Sequence, residues 1–167
     1  MIMMFMILSL CKTEFEIQKM AKCLSCLSNN GERRISPGVQ IYNGSYWVVE
    51  HAYPTGLLGW LVIVLKRHSE ALHDLTKDEW NELGEINYSL MKCIRKLLRP
   101  KKEYLCCFSE GKGFKHIHFH IIPKTRAFDE IYSSSRSFMY LKVSESSSVS
   151  KEKIVQLCSK LKLEMKK

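Results

Sequence analysis

The spacing of apolar residues predicts one long helix in the middle of the chain. Apolar positions recur every three or four residues between Trp80 and Leu98, which is typical of an amphipathic helix with one buried face. The segment Thr76-Lys77-Asp78-Glu79 has the pattern of a capping box, which starts a helix. We therefore predict a helix that begins after Thr76 and ends before Pro100.

Shorter segments on both sides of this helix have the composition of strands. Two of them are joined by Asn43-Gly44, a dipeptide typical of tight hairpins. The predicted strands are residues 38–42, 45–50, 57–65, 103–108 and 115–122. Strands that surround one long helix indicate an α+β fold with an antiparallel sheet.

The two ends of the chain differ from this central part. Residues 1–10 are almost entirely apolar, but they are too few to span a bilayer and lack the basic start of a signal peptide. We predict an N-terminal extension outside the core over residues 1–19; the alternative is a short helix that associates with a membrane or a partner.

Residues 20–125 are predicted to form the main domain, and residues 126–167 a C-terminal extension with a helix. Ser150 is placed to cap that helix. Its apolar positions are Ile154, Leu157, Cys158 and Leu161.

Composition and charge bear on the class of ligand. The chain has 167 residues, of which 46% are hydrophobic, and this excludes a wholly disordered protein. A net charge of +9 favours anionic ligands. The basic clusters at 95–102 and 151–167 lack interleaved aromatic residues, so we expect solvated helix faces there, and neither a specific nucleic acid nor a membrane as partner.

The seven cysteines are irregularly spaced, which argues against the disulfide framework of a secreted protein. We therefore expect a reducing, cytoplasmic location. The pair Cys23 and Cys26 has the spacing of a metal-binding or redox site, and the sequence alone does not separate the two.

The segment from His116 to Ile122 carries the clearest chemical signal. Three of the six histidines, His116, His118 and His120, alternate with apolar residues, so a strand places all three on one face. They could be merely polar, ligate a metal, or act as nucleophiles on phosphorus. His51 and His73 match no motif, and we expect them at the surface or in loops.

This segment resembles the motif of the histidine triad (HIT) family, in which three histidines alternate with apolar residues. Further residues agree: Lys66-Arg67-His68 follows a strand as in the family, the helix after Thr76 fits the long family helix, and Cys23-x-x-Cys26 resembles the start of zinc-binding members. The resemblance covers residues 20–125. It implies a HIT-like fold, an antiparallel sheet with one long packed helix, here followed by a C-terminal helix.

The resemblance also implies an activity. It indicates hydrolysis or transfer at the α-phosphate of a nucleotide conjugate, such as a dinucleoside polyphosphate or a nucleoside phosphoramidate. His118 would attack phosphorus and form a covalent nucleotidyl-histidine, His120 would contact the phosphate or help to protonate the leaving group, and His116 would help to orient His118. The candidate nucleotide-binding residues are Glu50, Ser109, Lys112 and Lys124.

In zinc-binding relatives, two cysteines and two histidines hold a structural zinc ion. Mapped onto this chain, the ligands are Cys23, Cys26, His68 and His116. Without metal, His68 and His116 would instead form a hydrogen-bond network around His118. The family resemblance further implies a homodimer formed through the long helix and a neighbouring strand. Two other functions stay open: a nucleotide-binding protein without turnover and a zinc-binding protein.

Overall fold

The structure is a computed structural model that describes Gln18 and residues 22–166. The predicted extension over residues 1–19 lies outside the described residues, except for Gln18. In this part of the chain the helices are α1 (Leu24–Asn29), α2 (Lys77–Leu98) and α3 (Lys151–Glu164). The strands are β1 (Tyr42–Asn43), β2 (Trp47–His51), β3 (Leu61–Leu65), β4 (Glu103–Cys106) and β5 (His118–Pro123).

The five strands form one antiparallel sheet in the order β1-β2-β3-β5-β4. This confirms the predicted α+β fold. The hairpin at Asn43-Gly44 is also confirmed, because the Gly44 amide donates to the Trp47 carbonyl at 3.0 Å. A Cβ at Gly44 would lie 2.1 Å from Glu82 Oε1 and 2.3 Å from the Tyr42 hydroxyl, so these two side chains would have to move if a larger residue replaced Gly44.

Two predicted elements differ in extent from the observed ones. The apolar run 57–65 forms a strand only from Leu61, because Gly59 has a φ of +93° and the chain turns there. The polar segment after Cys23 contains the short helix α1, which the sequence pattern did not predict.

Helix α2 has the predicted start and end. The Glu79 amide donates to Thr76 Oγ1 at 3.3 Å, and the Glu79 carboxylate accepts from the Thr76 amide at 2.8 Å. The helix ends at Leu98, and its C-cap residue Arg99 is in the left-handed region with a φ of +49°. The capping box therefore forms as the sequence predicted.

The main core lies between α2 and one face of the sheet. That face includes Ile117, Phe119 and Ile121, which alternate with the three histidines. Helix α3 adds Ile154, Leu157, Cys158 and Leu161 to the same core. The boundary at residue 125 stays a prediction, but this helix packs against the same apolar residues as α2.

The opposite face of the sheet is covered only in part. A second apolar cluster includes Trp60, Ile122 and Phe128, and two short 3-10 helices pack against it. Those helices are Glu130–Tyr132 and Ser134–Leu141, and a further 3-10 helix, Glu145–Ser147, follows them in the chain. The histidine side of β5 lies on this face, beside the uncovered region. None of the helices in the described residues is long and apolar enough to cross a membrane.

Candidate active site and metal centre

The uncovered part of the sheet forms the floor of a cavity of about 370 Å³. A cavity of this size falls in the range that holds small organic ligands. Its lining combines imidazole, aromatic and acidic groups, among them His118, His120, Phe108, Phe138, Glu50 and Ser109.

The middle histidine lies in this cavity with one ring nitrogen fixed. His118 Nδ1 donates to the His116 carbonyl oxygen at 2.6 Å, so Nε2 of the neutral ring keeps its lone pair. Burial lowers the pKa of His118 below its ordinary value of 6.5, which keeps the ring uncharged at neutral pH. An oriented, uncharged imidazole can attack without a separate base.

The third histidine has the opposite arrangement. The Trp60 indole N–H donates to His120 Nδ1 at 3.0 Å, and because indole is only a donor, Nδ1 must accept. The proton of the neutral His120 ring is therefore on Nε2. Burial, reinforced by His118, lowers the pKa of His120 to about 3. The ring centres of His118 and His120 are 4.8 Å apart.

The first histidine belongs to a different group of side chains. The ligand atoms of Cys23, Cys26, His68 and His116 all lie within 4.8 Å of one another. Cys23 Sγ is 3.4 Å from His116 Nδ1, and Cys26 Sγ is 3.4 Å from His68 Nδ1 and 3.5 Å from His116 Nδ1. A tetrahedral zinc ion places neighbouring sulfur and nitrogen ligands roughly 3.5 Å apart, so these residues fit zinc.

The outer nitrogens of the two imidazoles also fit metal binding. His116 Nε2 donates to the Leu65 carbonyl at 2.7 Å, which leaves Nδ1 available as a ligand. His68 Nε2 lies 3.4 Å from Glu70 Oε1. Hydrogen bonds from Cys26 and then His116 lower the pKa of Cys23 to about 3, although burial opposes them, and the thiolate is the form that binds metal.

One backbone group connects the cluster to the cavity. The carbonyl of His116, whose side chain lies in the cluster, accepts the hydrogen bond from His118 Nδ1. The cluster is also tied to the loop before β5, because the Leu24 amide donates to the Gly113 carbonyl at 2.8 Å. A ligand that holds the four side chains of the cluster in place would therefore also hold the His116 backbone, whose carbonyl orients His118.

Two of the four candidate nucleotide-binding residues lie in the cavity. Glu50 is buried, and Arg34 Nη1 lies 2.8 Å from its Oε1. Burial raises the pKa of Glu50, and the nearby Arg34 opposes that effect. Ser109 Oγ accepts from the His118 amide at 3.3 Å, which places this hydroxyl beside the middle histidine.

The two lysines do not line the cavity. Lys112 is exposed on the loop before β5. Lys124 Nζ donates to the Glu130 carboxylate at 2.5 Å and to Ser133 Oγ at 3.0 Å. The structure thus brings His118, His120, Glu50 and Ser109 together in the cavity and places the His116 side chain in the neighbouring cysteine–histidine cluster. Lys112 and Lys124 lie apart from both groups.

Other residues of the site were not singled out by the sequence. Trp60 and Phe138 look like ordinary core residues in sequence, yet both contact the His120 ring. We expected His51 at the surface or in a loop, but it is buried at the end of β2. Its Nε2 accepts a hydrogen bond from the Gly59 amide at 2.8 Å, a contact between loop and strand that the sequence did not indicate. His73 is exposed as expected.

Comparison with known proteins gives a family and a fold. Residues 23–131, about two-thirds of the chain, match the family model described as scavenger mRNA decapping enzyme C-term binding. The sequence has no significant match among curated proteins.

Solved structures of histidine triad proteins have the same fold. A hypothetical histidine triad nucleotide-binding protein from Sulfolobus tokodaii has a TM-score of 0.63 and 19% identity, covering 86% of this chain and 92% of that one. A zinc-bound histidine triad family protein from Mycobacterium smegmatis has a TM-score of 0.57 and 17% identity, covering 85% and 96%. A Hit-like protein from Bartonella henselae has a TM-score of 0.61 and 16% identity, covering 83% and 92%. These matches confirm the fold that the triad resemblance implied.

Proposed function

We propose a function from one premise: the chain belongs to the family described as scavenger mRNA decapping enzyme C-term binding, and it has the histidine triad fold. Our proposal is that it hydrolyses, or transfers a nucleotidyl group from, a nucleotide conjugate at the α-phosphate. The single observation that carries it is the state of His118. That ring lies in a cavity, donates through Nδ1 to a backbone carbonyl, and has a pKa that burial lowers towards the uncharged form.

In the first step His118 Nε2 attacks the α-phosphorus. The Nε2–P bond forms while the bond from phosphorus to the leaving group breaks, and its electron pair departs on the leaving group. The positive charge that develops on the His118 ring is stabilised because Nδ1–H already donates to the His116 carbonyl. His120 Nε2–H is available to donate a hydrogen bond to a phosphate oxygen.

In the second step water attacks the same phosphorus and breaks the P–Nε2 bond. The electron pair of that bond returns to His118, which is again a neutral ring with its proton on Nδ1. The proton of the attacking water is released as the nucleotide product leaves. Neither step requires the side chain of His116.

The class of substrate that we propose is a dinucleoside polyphosphate. An mRNA cap is itself two nucleosides joined by a chain of phosphates, so the description of the family falls within this class. A nucleoside phosphoramidate is the second candidate. In the cavity, the Ser109 hydroxyl lies beside His118, where it could donate a hydrogen bond to the phosphate that His118 attacks. Glu50 is a candidate partner for sugar hydroxyls.

We further propose that Cys23, Cys26, His68 and His116 hold a structural zinc ion. Zinc, when bound, would hold α1, the segment after β3 and the residues just before β5 together through these four ligands. A homodimer and a cytoplasmic location stay predictions. The exposed Trp80 and Tyr88 on α2 give a surface that a dimer could bury.

The decisive experiment traps the covalent intermediate. The protein is mixed with a dinucleoside polyphosphate labelled at the α-phosphate and quenched in alkali, which preserves a phosphorus–nitrogen bond. We expect label on the peptide that contains His118, and a loss of turnover of at least about 10⁴-fold in His118→Ala, because the substitution removes the attacking nitrogen.

The matched control is His73→Ala, which removes an exposed histidine and should leave labelling and turnover unchanged. Nucleotide binding without any labelling or turnover of the wild-type protein would instead identify a nucleotide-binding protein without enzymatic activity. Equal turnover by His118→Ala would contradict the proposed role of His118.

A further inference from the structure

The indole of Trp60 makes an unusual contact in the cavity floor. Its Nε1 is 3.0 Å from His120 Nδ1, and the two rings meet edge to face with centres 5.7 Å apart. Trp60, which directly precedes β3, is completely buried and packs against Phe138 with ring centres 5.3 Å apart. The indole is therefore held in position on more than one side.

This contact decides where His120 carries its proton. An indole nitrogen can only donate, so His120 Nδ1 is occupied as an acceptor and the ring proton resides on Nε2. Adding a second proton at Nδ1 would place two N–H groups against each other in a buried site. That arrangement is costly, because both donors would lack an acceptor and would be shielded from water.

The chemical consequence concerns proton transfer. A neutral imidazole with its only proton on Nε2 donates a hydrogen bond well, but releasing that proton would create an imidazolate. To act as a general acid, His120 must first become doubly protonated, which the Trp60 N–H opposes. In this state His120 would stabilise charge on a phosphate oxygen without protonating the leaving group.

We propose that Trp60 is a positioning residue that restricts this protein to leaving groups that depart as anions. The inference rests on the proposed function and refines its class of substrate. When a phosphoanhydride is attacked by His118, the P–O bond breaks and the electron pair stays on a phosphate oxygen, which is stable without a proton. When a phosphoramidate is attacked, the P–N bond breaks and the amine nitrogen must receive a proton from a donor.

The first test needs no substrate. We would record ¹⁵N spectra of the histidine rings in the wild-type protein and assign His120 by comparison with His120→Gln. The expected result is a pyridine-type signal for Nδ1 and a pyrrole-type signal for Nε2. A proton found on Nδ1 would overturn the inference whatever the protein's activity.

The second test compares two substrates that share the same adenylyl group. One is a diadenosine polyphosphate, and the other is an adenosine phosphoramidate with an alkylamine leaving group. We expect wild-type kcat/KM to favour the polyphosphate by on the order of 100-fold or more, because general acid catalysis contributes about 10²- to 10⁴-fold where it operates. In Trp60→Phe, which retains a ring but lacks the N–H, we expect this ratio to fall at least about tenfold.

The matched control is Phe128→Leu, which reduces the apolar cluster that contains Trp60 but leaves the N–H of Trp60 intact. Its ratio of kcat/KM values for the two substrates and its ¹⁵N signals should equal those of the wild type. A change in Trp60→Phe that is absent from Phe128→Leu is then due to the missing N–H and not to weaker packing. An unchanged ratio in folded Trp60→Phe, or a wild-type preference for the phosphoramidate, would overturn the inference. Turnover of neither substrate would contradict the proposed function, while the ¹⁵N spectrum would still decide the position of the proton.

Discussion

Single hydrogen bonds distinguish histidines that look equivalent in the sequence. His118 Nδ1 donates to a carbonyl, whereas His120 Nδ1 accepts from an indole, so the two neighbouring rings carry their protons on opposite nitrogens. His116 differs again, because its Nε2 donates to a carbonyl and its Nδ1 faces the cysteines. The alternating motif correctly predicted that the three histidines share one face of the strand. The structure shows that each ring nevertheless has different hydrogen-bond partners.

A buried histidine outside the motif gives a prediction for the dependence of stability on pH. His51 donates through Nδ1 to the Ala52 carbonyl and accepts through Nε2, and burial lowers its pKa from 6.5 to about 4. Between these values the unfolded chain binds a proton that the folded chain does not. The free energy of unfolding should therefore fall as pH drops from 6.5 towards 4, by up to about 1.4 kcal/mol per pH unit from this residue.

Denaturant titrations at a series of pH values measure this slope. In His51→Gln the slope between pH 6.5 and 4 should be shallower than in the wild type, whatever the absolute stability of the variant. His73→Gln removes an exposed histidine and should keep the wild-type slope. Identical slopes in the wild type and His51→Gln would contradict this prediction.

Helices and strands were predicted best where neighbouring residues alone decide the conformation. The capping box at Thr76 and the apolar spacing of α2 are local, and the helix formed between the predicted ends. The start of β3 does not depend on neighbouring residues alone. Gly59 turns the chain before the strand, and the Ala52 amide donates to the Trp60 carbonyl across the loop. Helix α3 was predicted from Ser150 and its apolar positions, but its place in the main core was not.

The position of α3 leads to a prediction about two leucines on that helix. Leu161 is fully buried in the core, whereas Leu163 is 65% exposed. We expect Leu161→Ala to lower the free energy of unfolding by about 2–4 kcal/mol, since it leaves a cavity that α2 and the sheet cannot fill completely. Leu163→Ala should change it by less than about 0.5 kcal/mol.

Urea denaturation of the two variants beside the wild type provides the measurement. Equal losses in Leu161→Ala and Leu163→Ala would indicate that α3 does not pack as described. A large loss in Leu161→Ala alone would show that the C-terminal helix is part of the cooperative unit.

At the scale of the whole molecule, the cysteine–histidine cluster joins three distant parts of the chain. Cys23 and His116 are 93 positions apart and Cys26 and His68 are 42 apart, yet their ligand atoms meet within hydrogen-bonding range. The cluster therefore connects α1, the segment after β3 and the residues just before β5. The cluster is linked to the candidate active site because the His116 carbonyl accepts the hydrogen bond from His118 Nδ1.

We predict about one zinc ion per chain in protein purified without added metal, because the four ligands match a closed structural site. Chelation should lower the free energy of unfolding, since zinc binds the folded chain in preference to the unfolded one. Mass spectrometry under native conditions and denaturant titration measure the two effects.

Cys26→Ser should lose the metal, whereas Cys106→Ser, which changes a cysteine on the edge strand β4, should retain it. Protein without bound metal whose stability is unaffected by a strong chelator would contradict the zinc proposal.

The sequence by itself determined the features that depend on near neighbours. These are the strand and helix periodicity, the hairpin turn, the helix caps and the alternation that places three histidines on one face. Tertiary structure alone decided which atoms each histidine contacts; the indole that donates to His120, for example, belongs to Trp60, 60 positions earlier in the chain. It also decided that Lys124 donates a hydrogen bond to Glu130 and does not line the cavity. The physical reason is that a hydrogen bond or a metal site requires distances set within fractions of an ångström, and between remote residues only packing of the whole chain sets them.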